Sequence, residues 1–257
     1  MTNEAASVDR MLKRHSGITL ILTALAIPCA GRAQSGGDGF LFHEPRLSVT
    51  LRTGWDFASA HSDLFSFTTQ QLTIDRGDFS SLAAGADVAW RVRPRTSIAF
   101  SVGVARTDKN SEFRDFVDNN QLPIQQTTSF ARVPVTLGIK QYLTPPGRTL
   151  GQFAWIPSRA VPFIGAGGGF MHYRFHQSGD FVDFQTMNVF AAQFTSQGWA
   201  PTGHALAGLD YSLSPELVLT AEARYVWSSA PLSQDFTGFH RLDLSGLATT
   251  AGFSIRF

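Results

Sequence analysis

The sequence predicts an all-β fold in which eight antiparallel strands run up and down and close into a barrel with a polar interior. Three observations predict it. Apolar and polar residues alternate with a period of two in eight segments, no segment after Gln34 is apolar over 18 residues, and only 16% of the residues are charged. That charged fraction is below the roughly 25% usual for soluble domains.

Composition excludes three other classes of protein. A hydrophobic content of 43% and a net charge of +1 exclude a disordered chain and a strongly basic nucleic-acid binder. The mean hydropathy of −0.03 is too low for a bundle of membrane helices. A membrane barrel has such an average because half of each strand faces lipid and half faces a polar interior.

Residues 1–33 are predicted to be a cleaved signal peptide, with Met1 or Met11 as the start. The basic residues Lys13 and Arg14 precede an uncharged run from 17 to 30, which is shorter than the roughly 20 residues of a spanning helix. Small residues before Ala33 place cleavage after it, so the chain is exported. Residues 34–45 then form a short N-terminal segment, and residues 46–257 form the barrel.

The eight strands are justified in chain order by their alternation. Each has one apolar face, assigned to the outside, and one polar face. In the fifth strand the odd-numbered residues, including Tyr173 and Phe175, are assigned to the apolar face. The predicted spans are Leu47–Phe57, Leu82–Val92, Ile98–Val104, Ala131–Ile139, Phe163–Phe175, Ala205–Tyr211, Leu217–Trp227 and Leu247–Phe257.

Charged residues are confined to the face opposite the apolar one. A soluble barrel turns its apolar face inward, whereas a membrane barrel turns it toward lipid and encloses the charges. Asp56 and Arg174 belong to this polar face. The predicted interior polar network consists of Arg52, Asp87, Arg91, Arg132, Asp210, Glu222, Arg224 and Arg256.

Connection lengths alternate between short and long, as the periplasmic turns and extracellular loops of membrane barrels do. Arg93–Thr96 and Ser212–Glu216 are short. Connections of about 20 residues follow Phe57, Ala105 and His176, and a shorter one follows Ser228. The link 143–160 departs from this rule and is predicted to be a long, irregular periplasmic turn.

Aromatic residues gather at both ends of the predicted strands, as expected of girdles at the two membrane interfaces. The outer girdle comprises Trp55, Phe57, Tyr173, Phe175, Tyr225 and Trp227, and the inner girdle comprises Trp90, Tyr211, Phe253 and Phe257.

Several segments resemble the outer-membrane β-barrel domain family, which includes small eight-stranded barrels of the OmpA/OmpX kind. They are 131–138, 162–169, 208–211, 219–225 and 251–257. The resemblance implies a bacterial outer-membrane location, with outer-membrane lipids and lipopolysaccharide as partners. The terminal Phe257 is similar to the signal that the barrel assembly machinery recognises. A monomer is expected, with no nucleic-acid partner.

The sequence favours a non-enzymatic protein with a surface-binding or structural role in the envelope, through its extracellular loops and an unknown external ligand. A narrow channel for ions or small solutes is the alternative. His176 and Ser178 are similar to a pair in lipid A-modifying esterases, and Asp180 or Asp183 would have to orient the histidine. The other signatures of that family are absent, so no catalytic residue is assigned. His172 and His176 are too few for a metal site, and no cofactor is expected.

Overall fold

The computed structural model describes residues 39–117, 121–151 and 153–257. The predicted signal peptide and the first part of the segment 34–45 lie outside these residues. Eight long strands form one antiparallel ring in the order β1-β2-β3-β4-β7-β8-β9-β11, and β11 pairs with β1 to close it. The strands are β1 Leu47–Ala58, β2 Ser81–Arg93, β3 Thr96–Val117, β4 Pro123–Tyr142, β7 Ala160–Val182, β8 Val189–Ser212, β9 Leu217–Ala230 and β11 Gly246–Arg256.

The predicted fold class is confirmed by this ring, in which each strand pairs with its neighbour in chain order. In seven of the eight strands the predicted apolar face is the outer one. Leu51, Trp90, Ile139 and Phe253 are each more than half exposed on it. Large side chains are exposed in this way only where the surroundings of the barrel are apolar.

Strand β7 has the opposite phase from the prediction. Phe163, Tyr173 and Phe175 are buried inside the ring, whereas Ile164 and Phe170 are exposed outside it. Tyr173 and Phe175 therefore do not belong to the outer girdle, and that prediction is wrong. Arg174, assigned to the interior, is exposed outside.

The phase of β7 is ambiguous in the sequence because both of its faces carry large apolar side chains. The middle of the inward face consists of Gly165, Gly167 and Gly169. Glycine has no side chain, so this part of the strand shows neither an apolar nor a polar face. An alanine at Gly167 would place its Cβ 2.8 Å from the His204 ring, so glycine lets β7 pass close to the interior side chains.

The ring is taller on one side than on the other. β3, β4, β7 and β8 contain 22, 20, 23 and 24 residues, whereas β1, β2, β9 and β11 contain 12, 13, 14 and 11. The predicted loops after Ala105 and His176 are therefore mostly strand. These extensions form what we call the outer wall: residues 106–117, 123–131, 172–182 and 189–200.

The connection from β1 to β2 contains an α-helix, α1, at Asp63–Gln71, and a 3-10 turn at Arg76–Phe79. The sequence analysis does not predict this helix. A helix of nine residues is marginal by itself, so its stability comes from packing of its apolar face. Leu64 and Phe65 are that face, and both are fully buried.

The helix closes one end of the ring, which we call the upper end, through a cluster of aromatic rings. The Phe65 ring lies 4.6 Å from Phe79, 5.3 Å from Phe130 and 5.7 Å from Phe175, in edge-to-face contacts. Such contacts are favourable beyond the area that they bury. We call the following side chains the aromatic plug: Leu64, Phe65, Phe79, Phe130, Phe175 and Phe236.

The link 143–160 is not irregular as predicted, but contains a small hairpin of β5 Gly147–Leu150 and β6 Ala154–Pro157. Trp155 of this hairpin is 1% exposed and exchanges two backbone hydrogen bonds with Leu41. A two-residue strand, β10 Leu242–Asp243, pairs with the end of β9. No helix of the described residues is long and apolar enough to cross a membrane.

Candidate functional site

The middle of the barrel interior is occupied by a cluster of ion pairs. Arg52 Nε donates to Asp87 Oδ2 at 2.6 Å, and Arg224 Nε donates to Glu222 Oε1 at 2.9 Å. A weaker bond of 3.4 Å joins Arg224 Nη2 to Asp87 Oδ1, which links the two pairs. All four side chains are at most 12% exposed, so each charge depends on its partner for compensation.

Two further ion pairs lie above and below this cluster. Toward the upper end, Arg132 Nη2 donates to Asp56 Oδ1 at 2.9 Å, and its Nη1 donates to the Leu244 carbonyl. Toward the other end, Lys140 Nζ donates to Asp210 Oδ2 at 3.1 Å. The interior charges are thus arranged in layers along the barrel.

The opening at the lower end of the ring, opposite α1, is covered by Trp155. The guanidinium carbons of Arg91 and Arg256 lie 6.0 and 5.9 Å from the centre of its ring, within the range of cation–π attraction. Arg91 also donates to Glu44 at 2.8 Å, and Arg256 donates to the Ser212 hydroxyl at 3.0 Å. The hairpin β5–β6 therefore holds an aromatic ring across this end.

The structure places all eight residues of the predicted polar network on the inner side of the ring. The sequence reasoning missed Lys140 and His204, which also face inward. They lie one residue outside the predicted strands, next to Ile139 and Ala205. Extending the alternation by one residue at those two ends would have found both.

His204 is one of several buried residues with a polar atom that has no hydrogen-bond partner among the described residues. It is 4% exposed, and its Nδ1 makes no hydrogen bond with the residues that the structure describes. Thr136 Oγ1 and Arg256 Nη2 are in the same situation. Buried polar atoms of this kind normally bind ordered water.

The free space inside the barrel is divided into small voids. Cavities of about 40, 30 and 10 Å³ follow one another along the interior. Arg52, His204 and Arg224 lie between the first two, and Lys140 lies between the second and the third. A void needs about 10–15 Å³ to hold one water, so each of these spaces has room for a few waters at most and for no larger solute.

The predicted esterase pair lies on the outer wall, outside the barrel. His176 Nδ1 is hydrogen-bonded to the Thr195 hydroxyl at 2.8 Å, where an orienting carboxylate would be required. Asp183 instead accepts the Gln185 backbone N–H and the Thr186 hydroxyl. Among the described residues there is no group of three His, Cys, Asp or Glu side chains that would hold a metal ion.

Several other outward side chains of the outer wall are polar and bond across the strands. Thr127 donates to Asn110 at 2.9 Å, and Gln125 donates to Glu112 at 3.3 Å. Ser129 donates to Asp108, whose carboxylate also accepts two bonds from Arg106. The pKa of Asp108 is lowered, chiefly by its hydrogen bonds with Arg106, so it carries a negative charge at neutral pH.

No protein-family model matches the sequence. No curated protein sequence matches it either. Among solved structures, OprG from Pseudomonas aeruginosa is 13% identical over 84% of this chain and 97% of its own, with a TM-score of 0.47. Neisserial surface protein A is 12% identical over 82% and 96%, with a TM-score of 0.43. Ail from Yersinia pestis is 15% identical over 84% and 100%, with a TM-score of 0.41.

OprG is described as an outer membrane protein. The ring described above has an apolar outside and a charged inside, as small membrane β-barrels do. The eight antiparallel strands that the resemblance implies are confirmed by the strand pairings.

Proposed function

We propose that the protein is an integral outer-membrane barrel that does not conduct solutes and acts at the cell surface, in a structural or ligand-binding role. The observation that carries this proposal is the closure of the interior. The aromatic plug closes one end, Trp155 closes the other, and the largest void between them is about 40 Å³.

The membrane location is supported by the outer surface of the ring. Trp55, Phe57 and Trp227 are exposed near one end, and Trp90 and Phe253 are exposed near the other. Indole rings favour the boundary between lipid and water. Lipopolysaccharide and other outer-membrane lipids are the partners that such a surface would meet, and recognition of Phe257 by the assembly machinery remains part of the proposal, as does a monomeric state.

A surface role is supported by the outer wall. Four strands extend beyond the other four, and their outward side chains are amides, hydroxyls and charged groups. A rigid polar sheet of this kind presents fixed hydrogen-bonding groups to an external ligand, without the ordering cost of a flexible loop.

The test combines gel mobility with electrical recording on the refolded protein. A folded membrane barrel should shift its gel mobility when it is boiled in detergent, and it should fractionate with the outer membrane. In planar bilayers we expect no single-channel steps above background. Regular conductance steps would contradict the closed interior, and recovery as a soluble protein without a mobility shift would contradict the membrane location.

A narrow path for ions or water is the second candidate, favoured by the charged lining of the consecutive voids. If it is correct, the wild type conducts, and Lys140→Gln changes the ratio of cation to anion permeability because Lys140 lies between two of the voids. Identical ion selectivity in both proteins would exclude a path through the barrel interior.

The esterase alternative has a separate test. Since Thr195 occupies the position of the orienting carboxylate, we expect lipid A from cells expressing the wild type to have the same acyl chains as lipid A from an empty-vector strain. Mass spectrometry of lipid A measures this. An acyl chain lost with the wild type, and regained with His176→Ala or Ser178→Ala, would establish the enzyme.

A further inference from the structure

We propose that the outer wall binds a phosphate group of an outer-leaflet glycolipid between Arg106 and Arg174. This inference rests on the membrane location proposed above and adds a specific site to it. Both arginines are exposed on the outside of the barrel, and neither takes part in the interior network.

The two arginines lie in one transverse row of the sheet. Arg106 on β3 is opposite Ala131 on β4, and Ala131 is opposite Arg174 on β7. They are therefore two strand spacings apart, about 10 Å between their Cα atoms. Ala131 is the small residue between them, so the row has a depression with a cationic side chain on either side.

Both guanidinium groups have N–H donors that are not hydrogen-bonded to the residues that the structure describes. Arg174 makes no hydrogen bond or ion pair with the residues that the structure describes. Arg106 uses Nε and Nη2 to hold Asp108, at 2.8 and 3.0 Å, which leaves its Nη1 free. Guanidinium groups bind phosphate oxygens through parallel hydrogen bonds, and this geometry makes arginine a preferred phosphate ligand.

The charge balance of the row favours an anion. Asp108 neutralises Arg106, and Arg174 remains as an uncompensated positive charge. Ser129, next to Ala131 on the same outward face of β4, borders the depression at its upper edge, and its hydroxyl donates to Asp108. A phosphate group would supply the missing counter-charge and acceptors for the free N–H groups of the two arginines.

The height of the row matches that of lipid headgroups. His172, two residues below Arg174 on β7, is opposite Trp199 of β8, and their rings are 5.2 Å apart. Trp199 is 61% exposed on the outside, as expected at the membrane interface. Two residues along a strand are about 6–7 Å, so the arginines lie just above the apolar part of the bilayer.

The experiment measures lipid binding by the full chain in phosphatidylcholine nanodiscs. The probes are bisphosphorylated lipid A, the same lipid after removal of its phosphates, and inorganic phosphate as a competitor. Arg174→Gln removes the uncompensated charge, and Ala131→Leu fills the depression without changing charge. Arg148→Gln is the matched control, because Arg148 is an exposed arginine of the hairpin β5–β6 at the other end of the barrel.

We expect the wild type to bind bisphosphorylated lipid A at least about tenfold more tightly than the dephosphorylated lipid. Arg174→Gln and Ala131→Leu should each abolish that preference, and Arg148→Gln should retain it. Equal binding of the two lipids by the wild type, or an unchanged preference in both Arg174→Gln and Ala131→Leu, would overturn the proposal. Displacement of lipid A by millimolar inorganic phosphate would overturn the lipid as the source of the phosphate group.

A separate measurement tests the proposed membrane location. Wild type and variants should all show the heat-dependent mobility shift before binding is measured. A wild type that lacks this shift contradicts the proposed function, whereas shifted proteins without a preference for phosphorylated lipid contradict only the phosphate site.

Discussion

The inside of the barrel is built differently at its two levels. In the lower part the inward side chains form ion pairs, as between Arg52 and Asp87, and the outward ones are apolar. In the upper part, large apolar rings point inward beside buried neutral residues such as Thr128 and Gln126, and polar side chains point outward. On β4, inward Arg132 is followed at the next inward position above it by the buried ring of Phe130, and outward Leu137 gives way above to outward Ser129.

The reversal shows that one strand turns its apolar side chains outward in its lower part and inward in its upper part. Where the outside contacts lipid, burial of apolar surface is satisfied outward, and the interior can hold compensated charges. Where the outside contacts water, the interior must be an apolar core like that of a soluble protein. The change occurs between Arg132 and Phe130, at about the level of Trp199 outside.

The largest expected effect is loss of the charge that links the interior pairs. Asp87→Ala leaves Arg52 buried without its carboxylate, and Arg224 loses one of two. Removing one partner of a buried pair typically costs about 3–5 kcal/mol. We therefore expect a large drop in the free energy of unfolding, measured by urea titration with the gel shift as readout.

Tyr225→Leu is the matched control, because Tyr225 is exposed on the lipid-facing side of β9. An apolar replacement there should lower the free energy of unfolding far less. If Tyr225→Leu is the damaging change and Asp87→Ala has no effect, the assignment of inside and outside is reversed.

The second expected effect is local to the aromatic plug. Phe65→Ala removes a fully buried ring that contacts Phe79, Phe130 and Phe175, a loss of about 3 kcal/mol. Because α1 is joined to the ring of strands only through loops, the cost should appear as local opening. Hydrogen exchange in 63–71 should accelerate while exchange in β1 and β11 stays slow.

Phe67→Ala on the same helix is the control, since Phe67 is 40% exposed. Its effect on exchange should be several times smaller. Equal acceleration by both variants would show that α1 is not held by packing into the plug. Uniform acceleration through β1 and β11 would show that the plug and the ring unfold as one unit.

The smallest expected effect concerns the start of α1. Asp63 accepts the backbone N–H of His240 at 2.9 Å and its Nδ1 at 2.8 Å. These bonds, the backbone one first, lower the pKa of Asp63. Their contribution to stability is therefore present above the unfolded pKa, about 4, and is lost as the pH falls through the lower folded pKa.

Exposed pairs of this kind contribute at most about 1 kcal/mol. We expect the protection factor of the His240 amide, which corrects for the pH dependence of intrinsic exchange, to be lower at pH 3 than at pH 6. Asp63→Asn should remove most of this pH dependence. A dependence that persists in Asp63→Asn would assign it to another group.

The sequence predicted the ring, seven of its eight strand phases and the inward direction of the charges, because these follow from alternation alone. The prediction failed where an apolar face can indicate either contact with lipid or packing inside the ring. Phe163 and Phe175 are apolar and inward because they pack at the two ends of the interior, and alternation cannot distinguish this from contact with lipid. Arg174 was misplaced for the same reason.

Other features depend on contacts between distant parts of the chain. Helix α1 exists because Phe65 reaches Phe130 and Phe175, which are far away in sequence. Trp155 covers the end of the ring opposite α1 because its backbone pairs with that of Leu41. The row of Arg106, Ala131 and Arg174 requires the register of three strands. None of these has a local signal in the sequence.

The pairing of β1 with β11 has a consequence for how the barrel is made. Ser48 is opposite Arg256, about two hundred residues later in the chain. One edge of β1 therefore stays unpaired until β11 has been synthesised and can pair with it. Such an edge is prone to pair with other chains until β11 closes the ring.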